Sequence, residues 1–454
     1  MAMTGPEHAK NRLTAPPHPA ERRILLALAA AAVALRIGAR LAFGEQYFWS
    51  NSYYAYYAMA ANIAGGKGFC LPSGCAWLPP LYPLLLVPSV LAGKSFLFVV
   101  VPQALLGAGT ALLAYLIGSG IFNRRTGLIA CAATAFYPYY LMHDTALQDT
   151  GMVTFGAALS VWLLLRACRC NRNIDWLIAG IALGSIALIR SSVVFAIPAG
   201  VIWCVVWGVS GATARRLRKG AVVALGATLA LGPWLIYTAH ATGVPVITSQ
   251  NGLALWMGNN SETFSHYPAG SIDRSRDEAY SHLSESDRAE LSSRAHDEIA
   301  TSNWYADRAL GYMKANPLLV ARGAVRKIEA GFSWRLNPYR EMLAQAAYFI
   351  GYAPIAILGA VGMVLARDRP GTALVAMLFL CFIIVTAIFW AHTSHRTYLD
   401  IYLIVFSASV VDLIWMRLAL SRVSSAARDV ISAGPGNSTV VRPISQSAVN
   451  PAHS

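Results

Sequence analysis

Apolar runs of roughly twenty residues recur along this chain, and they decide what it can fold into. They cover residues 24–44, 96–122, 127–143, 151–167, 175–189, 192–209, 220–238, 346–366, 371–391 and 399–418. A backbone in lipid must satisfy its own hydrogen bonds, so such runs read as membrane-crossing helices. The fold class that follows is an all-α polytopic membrane protein with a bundle of about ten transmembrane helices. Composition agrees: 56% of residues are hydrophobic and 13% charged, against about 25% charged in a soluble domain. With 7 Cys in 454 residues, a disulfide-stapled scaffold is excluded. The first 23 residues are polar and Pro-rich, end in Arg22-Arg23, and do not read as a cleavable signal.

One apolar run is assigned differently. Residues 78–93 are short and contain Pro79, Pro80, Pro83 and Pro88. Proline inside a helix removes a hydrogen bond and clashes with the preceding turn. If this run does not cross, Arg124-Arg125, Arg166, Arg169, Arg172, Arg215, Arg216, Arg218, Lys219, Arg367, Arg369 and both tails share one face. The short loops of the other face keep Arg190 and Arg396. The positive-inside rule then places both termini in the cytoplasm of a multi-pass cell-membrane protein. The net charge of +14 therefore reports orientation, not a nucleic-acid partner.

The expected organisation is a cytoplasmic tail (1–23), a transmembrane module (24–238) with an outer loop (45–95), an extracytoplasmic segment (239–345), C-terminal helices (346–420) and a disordered cytoplasmic tail (421–454). Segment 239–345 holds 12 of the 22 acidic residues and 11 basic ones, a hydrated surface. Within it, 275–300 and 318–332 have helical spacing, and Leu253–Met257 reads as a short strand before a turn. The stretch 53–66 is Tyr-rich and amphipathic.

Charges on the outer face are scarce and therefore informative. Loop 142–150 carries His143, Asp144 and Asp149. Glu45 and Lys67 lie in the first outer loop, Arg190 at an outer hairpin, and His392, His395, Arg396 and Asp400 at the last outer loop. Carboxylates can act as general bases, and arginines can hold phosphate; each can equally be an ordinary helix-end polar group. Arg36 and Arg40 share a helix face, as snorkelling cations or as counter-charges for an anionic lipid head. Cys70 and Cys75 can close a disulfide. Zinc-ligand spacing, a P-loop and a basic-aromatic nucleic-acid module do not appear.

Several motifs stand in an order that resembles a known group. They are Ala61-Asn62-Ile63-Ala64-Gly65-Gly66-Lys67-Gly68-Phe69, Pro79-Pro80-Leu81-Tyr82-Pro83, Asn123-Arg124-Arg125-Thr126-Gly127, Asp149 opening a helix, the stretch 252–260 (GLALWMGNN), and His395-Arg396-Thr397-Tyr398-Leu399. Together, over about 24–420, they resemble the GT-C membrane glycosyltransferases, in particular the family 39 group of protein O-mannosyltransferases and aminoarabinose-lipid A transferases. The resemblance implies a transferase that takes a sugar from a polyprenyl-phosphate donor, inverts its anomeric carbon, and works at the outer membrane interface of the cell envelope. No residue pattern in the chain calls for a cofactor or a metal.

On this resemblance Asp149, Asp144 and Glu45 are the candidate catalytic carboxylates. Arg190, Arg396, His395 and Lys67 would hold the donor phosphate. Asn51, Tyr82, Asn259 and Asn260 would contact substrate. One departure stands out: the family's first-loop Asp has no counterpart in Trp49-Ser50-Asn51-Ser52-Tyr53. Either Glu45 takes that role, or Asp149 or Asp144 supplies it, or the chain is a non-catalytic relative, a lipid-linked-sugar flippase or an assembly partner. The sugar and acceptor are not legible.

Overall fold

The structure, a computed structural model, describes residues 18–50, 53–390 and 392–432. The chain divides into two compact units, 1–410 and 411–454, and the candidate site lies within the first. Among the described residues there are eighteen α-helices and no named strand. They run α1 (Pro19–Ser50), α2 (Tyr54–Ala64), α3 (Leu81–Leu91), α4 (Leu97–Ile121), α5 (Arg124–Ala135), α6 (Pro138–Asp144), α7 (Thr150–Cys170), α8 (Asn173–Ala187) and α9 (Ala196–Trp203). There follow α10 (Thr213–Thr242), α11 (Asn251–Gly258), α12 (Ile272–Ser281), α13 (Glu285–Ser293), α14 (Glu298–Ala315), α15 (Pro317–Gly331), α16 (Met342–Leu365), α17 (Pro370–Ile388) and α18 (Thr397–Ser432).

Eight helical segments are long and apolar enough to cross a membrane: α1, α4, α7, the stretch Ser191–Gly208 around α9, α10, α16, α17 and the first part of α18. Two further expected passes are shorter. The run 127–143 is broken at Phe136-Tyr137, where Pro138 starts a new helix without an N–H to continue the old one. Asn123 starts α5 by accepting the Thr126 amide at 3.0 Å. The α5–α6 pair still returns along α4, with Gly127 packed against Tyr115 and Ser119. Helix α8 has 15 residues, about 22 Å of rise, and packs backbone to backbone on α10 through Gly180, Gly184 and Gly226. Run 78–93 becomes α3, 11 residues long and about 16 Å, too short for a pass.

The basic turns do share one end of the bundle. Arg124 pairs with Glu21 at 3.4 Å, and Arg166 and Arg172 flank Asp175 at 3.5 and 2.8 Å. Lys219 donates to Asn171 O at 2.7 Å, and Arg369 donates to Ile121 O. Asp144, Asp149, Arg190 and Arg396 gather at the other end, together with segment 239–345.

That segment is built of helices joined by turns and loops, with no named strand among the described residues. The expected strand at Leu253–Met257 is part of α11, because α11 packs side by side with α14 through Gly252 and Trp256. Stretch 275–300 forms α12, α13 and the start of α14; stretch 318–332 forms α15. The C-terminal helix continues to Ser432, and residues 433–454 lie outside the described ones.

Two charged side chains, Glu298 and Lys327, are among those that join this segment to the rest of the chain. The Glu298 carboxylate accepts from the amides of Cys75 (2.8 Å) and Ala76 (3.1 Å) and from Ser249 Oγ (2.6 Å). It clamps the loop after α2, in which Cys70 and Cys75 are joined as a disulfide. Charged hydrogen bonds of this kind contribute most when their loss strands buried donors. Glu298→Ala is expected to lower stability by about 2 kcal/mol and to speed proteolysis of the 65–77 loop, read by peptide mapping. The second is Lys327, 1% exposed. Its ammonium donates to Gly258 O (3.2 Å), Asn259 Oδ1 (3.3 Å) and Ile388 O (3.1 Å). These acceptors sit at the C-terminal ends of α11 and α17, where helix dipoles favour a cation. Burial lowers the Lys327 ammonium to about 8. Lys327→Met removes the donor to Gly258 O and Asn259 Oδ1 and is expected to cost about 3 kcal/mol, read as a lowered thermal unfolding midpoint.

Candidate functional site

The site is built on the short connection between α6 and α7. Gln103 of α4 shapes it: Nε2 donates to Asp144 O and Ala146 O, both at 2.8 Å, while Oε1 accepts the Tyr82 hydroxyl at 2.6 Å. Asp144 points toward α1, where Oδ2 accepts Arg36 Nε at 2.7 Å. Gly107 and Gly151 leave room for that carboxylate; a methyl group at Gly107 would sit 2.6 Å from Asp144 Oδ2.

Asp149, five residues on, points toward the hairpin after α8. Arg190 donates to it through both Nε (2.9 Å) and Nη2, and Nη2 also reaches Thr150 Oγ1 at 3.1 Å. This is the two-pronged geometry that suits guanidinium and carboxylate. Asp149 is 5% exposed. Burial together with the nearby Asp149 charge raises the Tyr56 phenol of α2 well above its ordinary value, so Tyr56 stays protonated. The clamp leaves Arg190 Nη1 without a hydrogen-bond partner.

Further polar groups surround the pair. His143 Nδ1 is 2.6 Å from Gln148 Oε1, and its Nε2 is buried without a partner. With Thr110, Tyr140, Asp144, Thr150 and Thr154 it lines a narrow recess between α4, α6 and α7. The His143 and His395 rings both sense the Arg190 charge. His392 contacts the His395 ring at 5.7 Å. Burial lowers the His392 imidazole to about 4, so it is neutral near pH 7. Arg340, on the exposed loop before α16, acts electrostatically on both Tyr53 and His143. Nothing in the sequence singled out Arg340 or Gln103, because each joins the site from another part of the chain.

The expected residues are placed as follows. Asp149 and Arg190 meet, with Tyr56, His143 and His395 around them. Asp144 is near but paired with Arg36. Arg396 is fully buried: it binds Asp400 Oδ1 (2.9 Å), Gly331 O (2.9 Å) and the Tyr348 hydroxyl (3.0 Å), and lies 3.7 Å from the Tyr352 ring centroid. Every edge of that guanidinium faces protein. Glu45 is exposed and accepts Trp49 Nε1 at 3.0 Å, with Lys94 above the same indole at 4.6 Å. Lys67 is exposed in the turn after α2. Tyr82 is fully buried against Gln103 and Tyr56. Asn259 donates to Leu255 O and Ile388 O, and Asn260 to Trp256 O. Both asparagines thus brace the turn after α11. Asn51 lies outside the described residues. Among the described residues no group of His, Cys, Asp or Glu is arranged to hold a metal ion.

This bundle, with its polar end and appended helical segment, is similar in fold to solved membrane oligosaccharyltransferase structures. Residues 78–237 match the family described as dolichyl-phosphate-mannose-protein mannosyltransferase. No curated protein matches the chain in sequence. Among solved structures it is similar to the Archaeoglobus fulgidus oligosaccharyltransferase in its apo form, at 13% identity and TM-score 0.51, over 90% of this chain and 52% of that one. The same enzyme tethered to an acceptor peptide matches at 14% identity and TM-score 0.53, over 88% and 50%. Its complex with an inhibitory peptide and a dolichol-phosphate matches at 14% and 0.51, over 90% and 52%. The chain thus spans about half the length of the solved proteins it matches.

Proposed function

We propose that this protein is a multi-pass membrane glycosyltransferase that moves a sugar from a polyprenyl-phosphate donor to an acceptor, with inversion at the anomeric carbon. The observation that carries the reading is the buried Asp149–Arg190 pair in a GT-C fold, with one guanidinium nitrogen, Nη1, left unpartnered. In this mechanism Asp149 takes the proton of the attacking acceptor. The C1–O bond to the donor phosphate breaks, and negative charge grows on the leaving phosphate. Arg190 Nη1 and the Arg340 side chain meet that charge, lowering the barrier. Neutral His143 and His395 offer sugar hydroxyls acceptors without adding cost for a buried charge. Protonated Tyr56 lies beside Asp149.

The reading sets the basic end of the bundle in the cytoplasm and the Asp149 end outside, with 239–345 as the extracytoplasmic segment and both tails inside. The described disulfide between Cys70 and Cys75 supports that sidedness, since disulfides persist in oxidising compartments. The test is release of free polyprenyl phosphate from a labelled polyprenyl-phosphate sugar by purified protein in nanodiscs given a membrane acceptor extract. Accumulating product supports the reading. Saturable donor binding with no release under any donor and acceptor tried would replace it with a non-catalytic or flippase role, which the missing first-loop carboxylate favours.

A further inference from the structure

Arg40 presents a charge that the transferase site does not use. It sits in α1, four residues after Arg36, one turn before the bend at Gly44 (φ 75°). Arg36 has a counter-ion: Asp144 takes its Nε, and Ala32 O and Ala135 O take Nη1 at 3.1 and 3.2 Å, while its Nη2 has no partner. Arg40 is 2% exposed, yet it has no carboxylate within 4 Å among the described residues. Among the described residues its one hydrogen bond is from Nη1 to Thr145 O, at 2.8 Å. Nε and Nη2, one whole edge of the guanidinium, are buried without partners.

A buried, uncompensated guanidinium is strongly unfavourable unless something else supplies the counter-charge. The surroundings indicate what does. The rings of Phe43, Tyr47 and Phe48 lie 5.9, 5.1 and 5.7 Å from Arg40 Cζ. Phe43 and Tyr47 are 65% and 52% exposed, and Leu41 beside them is 56% exposed. These residues face outward from a membrane-crossing helix, at its polar end, where aromatic rings mark headgroup depth. Arg40 therefore stands behind an aromatic wall at the level of lipid phosphates. A phosphate accepts two parallel N–H bonds from one guanidinium edge, the two donors that Arg40 leaves unmade.

The geometry assigns Arg40 as the anchor of a lipid-phosphate site between α1 and the Thr145 turn, separate from the Asp149–Arg190 pair. The occupant is the phosphodiester of an anionic phospholipid, with the Phe43 and Tyr47 rings against its glycerol region. Bound there, it neutralises Arg40, which then holds the Thr145 carbonyl and with it the connection carrying Asp144 and Asp149.

Native mass spectrometry of the delipidated full chain tests this by titration with phosphatidylglycerol, polyprenyl phosphate and inorganic phosphate in turn. The expected result is one tight phosphatidylglycerol per chain, weakened at least tenfold by Arg40→Gln and several-fold by Tyr47→Ala. Tyr47 is half exposed, so its variant keeps the test informative should Arg40→Gln misfold. Asp149→Asn should leave this binding unchanged. Phosphatidylglycerol binding unaltered in both Arg40→Gln and Tyr47→Ala would overturn the proposal, as would equal stabilisation by inorganic phosphate. One-for-one displacement by polyprenyl phosphate, with both ligands lost in Arg40→Gln, would overturn the separateness of the site and give Arg40 to the donor.

Discussion

Asp149→Asn is expected to lower the rate of sugar transfer by about 10²- to 10⁴-fold while leaving donor affinity unchanged or tighter. Asparagine keeps the size and can still accept from Arg190, so the local fold is preserved. It cannot take a proton from an acceptor hydroxyl. It also removes the negative charge beside Arg190, which leaves that guanidinium more attractive to a donor phosphate. This split, slower turnover with retained binding, separates a chemical role from a structural one. Steady-state and single-turnover assays with labelled donor measure it. The companion variant Glu45→Gln is expected to stay within about two-fold of the parent rate, because Glu45 is exposed and engaged with Trp49. A parent-like rate in Asp149→Asn with a collapsed rate in Glu45→Gln would move the base to the first loop.

The second large effect concerns stability. Arg396 and Asp400 are both 0% exposed and one helical turn apart. Asp400 accepts from Arg396 Nε at 2.9 Å and from the Tyr137 hydroxyl at 3.0 Å. Neighbouring tyrosines of α6 tie in as well: Tyr139 to Thr393 Oγ1 at 2.8 Å, and Tyr140 to Thr397 O at 3.0 Å. The pair therefore locks the start of α18 to α6, the helix that leads into Asp144 and Asp149. Asp400→Asn leaves Arg396 charged and buried with no counter-ion, expected to cost about 3–5 kcal/mol. Thermal unfolding in detergent reads the loss. A joint Arg396→Met, Asp400→Leu variant should recover most of it, since replacing both charges with apolar groups is often neutral. If Asp400→Asn unfolds like the parent, the lock is not what holds α18.

The parts of this architecture that were legible in sequence are those written locally. Apolar runs announce helices, and basic turns announce which helix ends belong together; Arg124, Arg166, Arg172 and Lys219 do meet at one end. Pro138 breaks the run 127–143, which its apolar length does not reveal. Leu253–Met257 reads as a strand in sequence because five apolar residues carry no period that separates strand from helix; packing on α14 makes it helix. Partnerships were the hard part. Asp149 and Arg190 are 41 residues apart, and Arg36 and Asp144 108 apart, so only helix packing brings them together. Arg396 looked like a phosphate ligand by motif, yet its hydrogen bonds are spent on Asp400, Gly331 and Tyr348. Glu298 and Lys327 gave no signal at all, since a charged residue on a helix reads as solvated until its partners are known.

The most direct measurement is a structure of the full chain with polyprenyl phosphate bound. It should show a phosphate oxygen about 3 Å from Arg190 Nη1, on the Tyr56 and His395 side of the Asp149–Arg190 pair, with Arg340 drawn toward it. A phosphate seated elsewhere, with Arg190 Nη1 still unpartnered and Arg340 unmoved, would contradict the site at the centre of this account.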